Sequence, residues 1–240
     1  MVIPYDDELR TRVTHNLSSH RRRALAIGEL RHAAVAVVLV DSLEGDDRVD
    51  PHQPTSAEMD IIPGGAGGLD GRMTGVSGGA AFLLCRRAAG LNSHASQWAL
   101  PGGRVDHGES VTDAARRELD EELGVVLDEG SVLGLLDDYA TRSGYVITPV
   151  VLWGGGHLEL RPSAAEVLAA YRVGLHELLR DDSPRFITIP ESDRPVVQVP
   201  LGNDLIHAPT GAVLLQLRWL GLEGRDDPVA ELEQPVFAWG

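Results

Sequence analysis

Apolar residues in this chain fall into short unbroken runs set between turn-rich polar stretches. Ala33 to Val40 and Ala81 to Cys85 are two such runs, and runs of that length predict strands buried on both faces. The second strand is expected to pair with the first. Val132 to Asp138 and Tyr145 to Trp153 predict two more. The latter belongs at the centre because it is nearly all apolar, and its Pro149 calls for a bulge or an edge. Other segments follow helical spacing. Leu9, Val13, Leu17 and Leu25 share one face of a helix expected over residues 5–28, with Arg21, Arg22 and Arg23 as a solvated basic patch. Residues 164–180 are expected to hold a helical stretch or two, followed by short strands at Phe186 to Ile189 and Pro195 to Val199. Thr210 to Leu222 reads as an amphipathic helix with Val213, Leu214, Leu217 and Leu220 toward the core. Strands interleaved with helices define an α/β protein.

Residues 42–79 interrupt this pattern. They are rich in Gly, Asp, Pro and Ser, show no periodicity, and are expected to form a disordered tether inserted into a hairpin, with a functional lid as the alternative. Composition narrows the function. A net charge of −15 over 240 residues argues against a protein that grips nucleic-acid phosphates. It leaves room for a small anionic substrate, because bound divalent ions reverse the local sign. The single cysteine, Cys85, excludes an internal disulfide and reads as a buried small hydrophobe. The nine histidines lack zinc-ligand spacing. No apolar run is long enough to span a membrane, and Asp6, Asp7 and Glu8 take the place of a secretory signal, so a cytoplasmic location is expected.

The densest chemistry lies between Gly103 and Val125. Ser110 reads as a helix N-cap completed by Asp113, and Gly124 as the left-handed residue that ends the helix. Ala115, Leu119 and Leu123 form its packing stripe. Asp113 with Arg117, and Arg116 with Asp120, are expected pairs on the solvated face. Glu118, Glu121 and Glu122 share a third face at spacings i, i+3 and i+4. Three carboxylates in one turn repel one another, and the nearby arginines already have aspartate partners. A hard cation explains the cluster better than a plain charged surface does.

The order Gly103, Glu109, Arg117-Glu118-Leu119, Glu121-Glu122, Gly124-Val125 resembles the Nudix box. The resemblance implies an α/β/α sandwich around a mixed sheet and a hydrolase of nucleoside diphosphate derivatives. It further implies Mg²⁺ or Mn²⁺ held by Glu118, Glu121, Glu122 and the backbone near Gly102 or Gly103. Glu109 and Arg117 would brace the loop. Glu121 or Glu122 would accept a proton from the attacking water. Glu166 is the expected helper outside the box, its alternative being a helix residue facing water.

Two flanking stretches sharpen the expectation. Leu83-Leu84-Cys85-Arg86-Arg87, with Leu91, His94, Gln97 and Leu100-Pro101-Gly102-Gly103, resembles the upstream motif of the coenzyme A diphosphatase branch. Thr141 to Val150 resembles that branch's segment after the box. The implied substrate is coenzyme A or an acyl-CoA, cleaved to 3′,5′-ADP and a phosphopantetheine product. The alternatives are ADP-ribose, NADH or another nucleoside diphosphate derivative, or a module that binds such a ligand without turnover. Arg86 or Arg87 would meet a phosphate, although alternation along a strand lets at most one face the site. His94 and Gln97 would line the substrate side, His94 being equally readable as an ordinary loop residue. Arg142 would contact phosphate or sit in a turn capped by Asp138.

The expected organisation is an N-terminal helical arm (1–30), the Nudix domain with its insertion (31–225) and a C-terminal tail (226–240). No nucleic-acid or membrane partner is expected. Family habit adds a homodimer, with the apolar face of the N-terminal helix as its suspected surface.

Overall fold

The computed structural model describes residues 2–43, 45, 51–52, 54–88, 97–156 and 158–239. Its first half comprises α1 (Asp7–Ser19), β1 (Arg31–Ser42), α2 (Ser56–Asp60), β2 (Gly79–Arg87), β3 (Trp98–Ala99), β4 (Gly102–Arg104) and α3 (Val111–Leu123). There follow β5 (Val132–Leu135), β6 (Tyr139–Ala140), β7 (Tyr145–Trp153), β8 (Val167–Gly174), α4 (Leu175–Leu178), β9 (Arg185–Ile189), β10 (Ser192–Leu201), β11 (Asp204–His207) and α5 (Thr210–Gln216).

The long apolar strand β1 organises the main sheet. It runs parallel to β7, from Arg31 opposite Tyr145 to Leu39 opposite Trp153. Its C-terminal half pairs antiparallel with β2, as the hairpin expectation required, and its N-terminal half pairs with β4. β2 carries β3 and β8, while β5 and β6 pair with β7. The sheet is therefore mixed. Alternate β1 residues face two cores: Ala34, Ala36 and Val38 meet Ala115, Leu119 and Leu123 of α3 on one face. Val37 and Leu39 face α1, α5 and a second sheet, ordered β11–β10–β9, on the other. Pro149 sits within central β7, and its carbonyl accepts from Leu136 N at 3.0 Å, just past the end of β5. A residue's N–H and C=O point to the same side of a strand. The missing donor therefore faces Leu136, whose carbonyl accepts from Arg22 Nε at 3.0 Å instead.

Several expectations give way to tertiary contacts. The N-terminal helix stops at Ser19 instead of continuing to residue 28. Buried Asp137 and Asp138 accept from the backbone N–H groups of Arg23 and Leu25, each at 2.8 Å, donors that a continuing helix would consume. Arg22 pairs with Asp138, and Arg23 reaches Asp137 at 2.9 Å, so these two are anchors and not a solvated patch. The apolar face of α1 (Leu9, Val13, Leu17) is buried within the chain. It is therefore not the exposed surface suspected of making a homodimer.

Of residues 164–180, expected to hold a helical stretch or two, 175–178 form α4, but 167–174 form β8 along β2, from Val167 opposite Arg87 to Gly174 opposite Ala81. The described part of the insertion is folded and not a tether. Thr55 and Glu58 form a reciprocal capping box on α2, Met73 is fully buried, and Gly71 N donates to Asn203 O at 2.9 Å. The expected helix at Thr210 to Leu222 is present, but its last turn, Leu217–Leu222, is π-helical. Among the described residues, no helix is long and apolar enough to cross a membrane.

Candidate active site

α3 begins and ends where its sequence dictates. Ser110 Oγ accepts from Asp113 N at 3.1 Å, and Gly124 closes the helix with φ 64°. The salt-bridge pattern differs from the expected one. Arg116 pairs with Asp113, and Arg117 turns toward the glycine turn instead of Asp113. Arg117 meets Glu109 through two parallel bonds (2.9 and 3.1 Å) and donates to Arg104 O at 3.0 Å. Glu109 in turn accepts from Asp106 N at 3.0 Å, and the arginine holds its carboxyl below the usual range. The loop leading into the helix is thereby tied to the helix itself.

Two glycines bring the β4 turn against the acids. A Cβ on Gly102 would lie 2.4 Å from Ala34 O, and one on Gly103 would lie 2.3 Å from Glu118 Oε1. Only bare backbone fits between β1 and α3 here. Glu122 is 5% exposed, although acidic residues are almost never buried without a partner. Burial pushes its pKa up to about 7, opposed by the Gly102 N–H and the charge of Arg87, and reinforced by Glu166 and Glu118. Glu118 is also raised, first by burial, with Arg117 opposing. Glu121 is exposed and lies 3.2 Å from Arg117.

Glu166 arrives from outside the box. Because β8 pairs with β2, the residue just before it is held beside the end of β2, where Ala88 N donates to Glu166 O at 2.8 Å. Its carboxylate is exposed and close enough for its charge to act on both Glu118 and Glu122. Arg87 faces the same acids, and its buried Nε has no hydrogen-bond partner among the described residues.

The other residues singled out from sequence do not join this cluster. Arg86 points to the opposite face of β2, its guanidinium 3.7 Å above the Trp98 ring, 3.6 Å from Asp204 and bonded to Gly71 O. Gln97 accepts from Arg87 N at 3.0 Å through its backbone and lines a cavity on the Arg86 side. His94 lies outside the described residues. Arg142 is neither capped by Asp138 nor turned to the acids. Its guanidinium grips the carboxylate of Glu233 and lies 4.8 Å over the Trp239 ring. The cavity residues Trp98, Asp204 and His207 were not singled out, because segments far apart in sequence meet there and no local spacing marks them.

The clustered donors are all hard oxygens, the set that suits Mg²⁺ or Mn²⁺, and the Gly103 backbone lies against Glu118. Glu118 and Glu121 are turned onto Arg117. Among the described residues no three acidic, histidine or cysteine side chains converge closely enough to hold an ion as they stand.

Residues 73–187, which include the glycine turn and the glutamate-bearing helix, match the family model of the NUDIX domain. An uncharacterized Nudix hydrolase NudL of Photorhabdus laumondii is 37% identical over 109 residues, 45% of this chain and 58% of that protein. One from Yersinia pestis is 37% identical over 99 residues, 41% of this chain and 50% of its own. The match thus spans little more than half the length of these relatives. Among solved structures, a MutT/nudix family protein from Enterococcus faecalis gives a TM-score of 0.49 at 16% identity, over 89% of this chain and 73% of that one. The NUDIX domain of Shewanella oneidensis NrtR, solved with ADP ribose, gives 0.41 at 15% identity, over 89% and 92%.

Proposed function

We propose that this chain is a divalent-metal-dependent hydrolase of nucleoside diphosphate derivatives, with coenzyme A or an acyl-CoA as the favoured substrate. The observation that carries the proposal is the meeting of Glu118, Glu122, Glu166 and Arg87 beside the Gly102–Gly103 turn, inside the NUDIX match. Glu118, Glu121, Glu122 and the Gly103 carbonyl would hold Mg²⁺ or Mn²⁺. Such an ion supplies charge neutralisation at the diphosphate and a lowered pKa for bound water. The chain's own residues do the remaining work. Arg87 donates to a phosphate oxygen through a guanidinium whose Nε meets no protein acceptor among the described residues. Arg117 and Glu109 fix the helix to the turn so that the acids keep their places. Glu122, Glu121 or Glu166 accepts the proton of the attacking water.

The preference for coenzyme A is supported by Leu83 to Arg87, Gln97 and Leu100 to Gly103 ahead of the box, and by Thr141 to Val150 after it. The test is chromatographic detection of the two phosphomonoester products from coenzyme A, acetyl-CoA, ADP-ribose and NADH with Mg²⁺ or Mn²⁺, for the wild type and Glu122→Gln. The wild type is expected to prefer the CoA substrates. The variant should lose about 100-fold or more in kcat, the scale of a general base, while melting as a folded protein. Preference for ADP-ribose or NADH would remove the coenzyme A assignment, and undiminished turnover by the variant would remove the role of Glu122.

A further inference from the structure

Behind β2, on the face opposite α3, lies a cavity of about 330 Å³. That volume is at the lower end of the roughly 300–1,000 Å³ typical of small-molecule sites. Arg86, Gln97 and Trp98 supply the wall that belongs to the NUDIX match. The rest comes from His52 and residues 54–62 before it and from 204–210 and 237–238 after it. Arg86 and Arg87 are consecutive, so this cavity and the acid cluster lie on opposite faces of the same strand end.

The wall's charge specifies what the cavity would accept. Arg86 is covered by the Trp98 ring, the Gly71 carbonyl and Asp204, and Trp98 Nε1 donates to the same aspartate at 2.5 Å. His52 faces Glu58 at 3.5 Å. Loss of solvent pushes the pKa of His207 down to about 4, leaving its ring neutral at physiological pH. Among the described residues, the two carboxylates and one guanidinium of the lining offer an anion no net attraction. Met59, Ile62, Leu205, Ile206, Pro209 and Phe237 make much of the remaining surface apolar.

We infer that this cavity receives the uncharged arm of the substrate remote from the diphosphate, a pantetheine-like chain, and excludes the phosphorylated adenosine end. The inference rests on the proposed function for the identity of the arm. Its test does not depend on turnover.

The experiment is an NMR titration of the metal-free protein with D-pantetheine, an arm that carries neither diphosphate nor nucleotide. Saturable shifts in the millimolar range are expected at the indole of Trp98 and the methyl of Met59, unaffected by added adenosine 3′,5′-bisphosphate. Met59→Trp, which fills the cavity from α2, should abolish them. Phe237→Ala, which removes wall surface, should weaken binding about tenfold or more, and serves if the first variant does not fold. Absence of wild-type binding, displacement by the bisphosphate, or full binding by folded Met59→Trp would overturn the inference. Hydrolysis of coenzyme A without pantetheine binding would sink this inference and leave the proposed function standing. Pantetheine binding without hydrolysis of any diphosphate would do the reverse.

Discussion

At the scale of single residues, Gly102 and Gly103 are neighbours that answer to different parts of the molecule. A methyl on Gly102 would strike backbone, Ala34 O and Val35 Cα at 2.4 and 2.7 Å, which cannot move without opening the β1–β4 ladder. Gly102→Ala is therefore expected to cost about 1–3 kcal/mol or more of stability, the range for overpacking. A methyl on Gly103 would strike the carboxylate of Glu118, the end of a flexible side chain that can turn aside. Gly103→Ala should keep its melting temperature but lose on the order of 100-fold in kcat, because Glu118, proposed above to hold the metal, is displaced by about an ångström. Urea denaturation and phosphomonoester formation from the diphosphate substrate check the pair. Equal destabilisation with equal activity would contradict the geometry.

At the scale of elements, legibility depended on where the deciding contacts came from. α3 was readable because Ser110, Gly124 and the stripe Ala115–Leu119–Leu123 spell its cap, end and packing face within one short segment. β1, β2 and β7 were readable because strands covered on both sides must be apolar throughout. β8 was not readable: Ala164, Ala165, Ala169 and Ala170 favour helix locally, while pairing with β2 imposes extended backbone. The Glu166 position beside the acids follows from that strand pairing, which no local spacing could show. The segment after α1 failed similarly, since its partners Asp137 and Asp138 lie more than a hundred residues away. Those partners yield a prediction. Removing residues 1–28 exposes the sites of Leu9, Val13 and Leu17 and leaves two buried aspartates without their backbone donors. Burial of about 1.5–3 kcal/mol per aliphatic side chain is a large share of a typical 5–15 kcal/mol stability. The shortened chain is expected to be largely unfolded by circular dichroism. A cooperative melt near the wild-type temperature would show that α1 is dispensable.

At the scale of the whole molecule, the C-terminal segment is tied across both sheets through one carboxylate. Glu233 accepts from Arg142 and from Ser192 Oγ at 2.8 Å, and is 3% exposed. Arg142 first, helped by the Gln234 N–H and Ser192, lowers its pKa to about 2 from an ordinary 4.5. A carboxyl with a depressed folded pKa stabilises the protein above the unfolded value, and that contribution is lost as pH falls toward the folded one. Glu233→Gln is therefore expected to be less stable than wild type at pH 7, the difference shrinking between pH 4.5 and about 2. Urea midpoints across that range test this, and a difference that persisted or grew with acid would assign the stabilisation to another group.

The cavity behind β2 has one more consequence for the molecule as a whole. Its walls are mostly supplied by polypeptide before residue 73 and after residue 187, beyond the stretch by which kinship is recognised. Acceptance of a molecule and attack on its phosphorus can then drift at separate rates through descent. Two chains sharing every box glutamate would consume different compounds once residues 52–62 or 204–210 were exchanged.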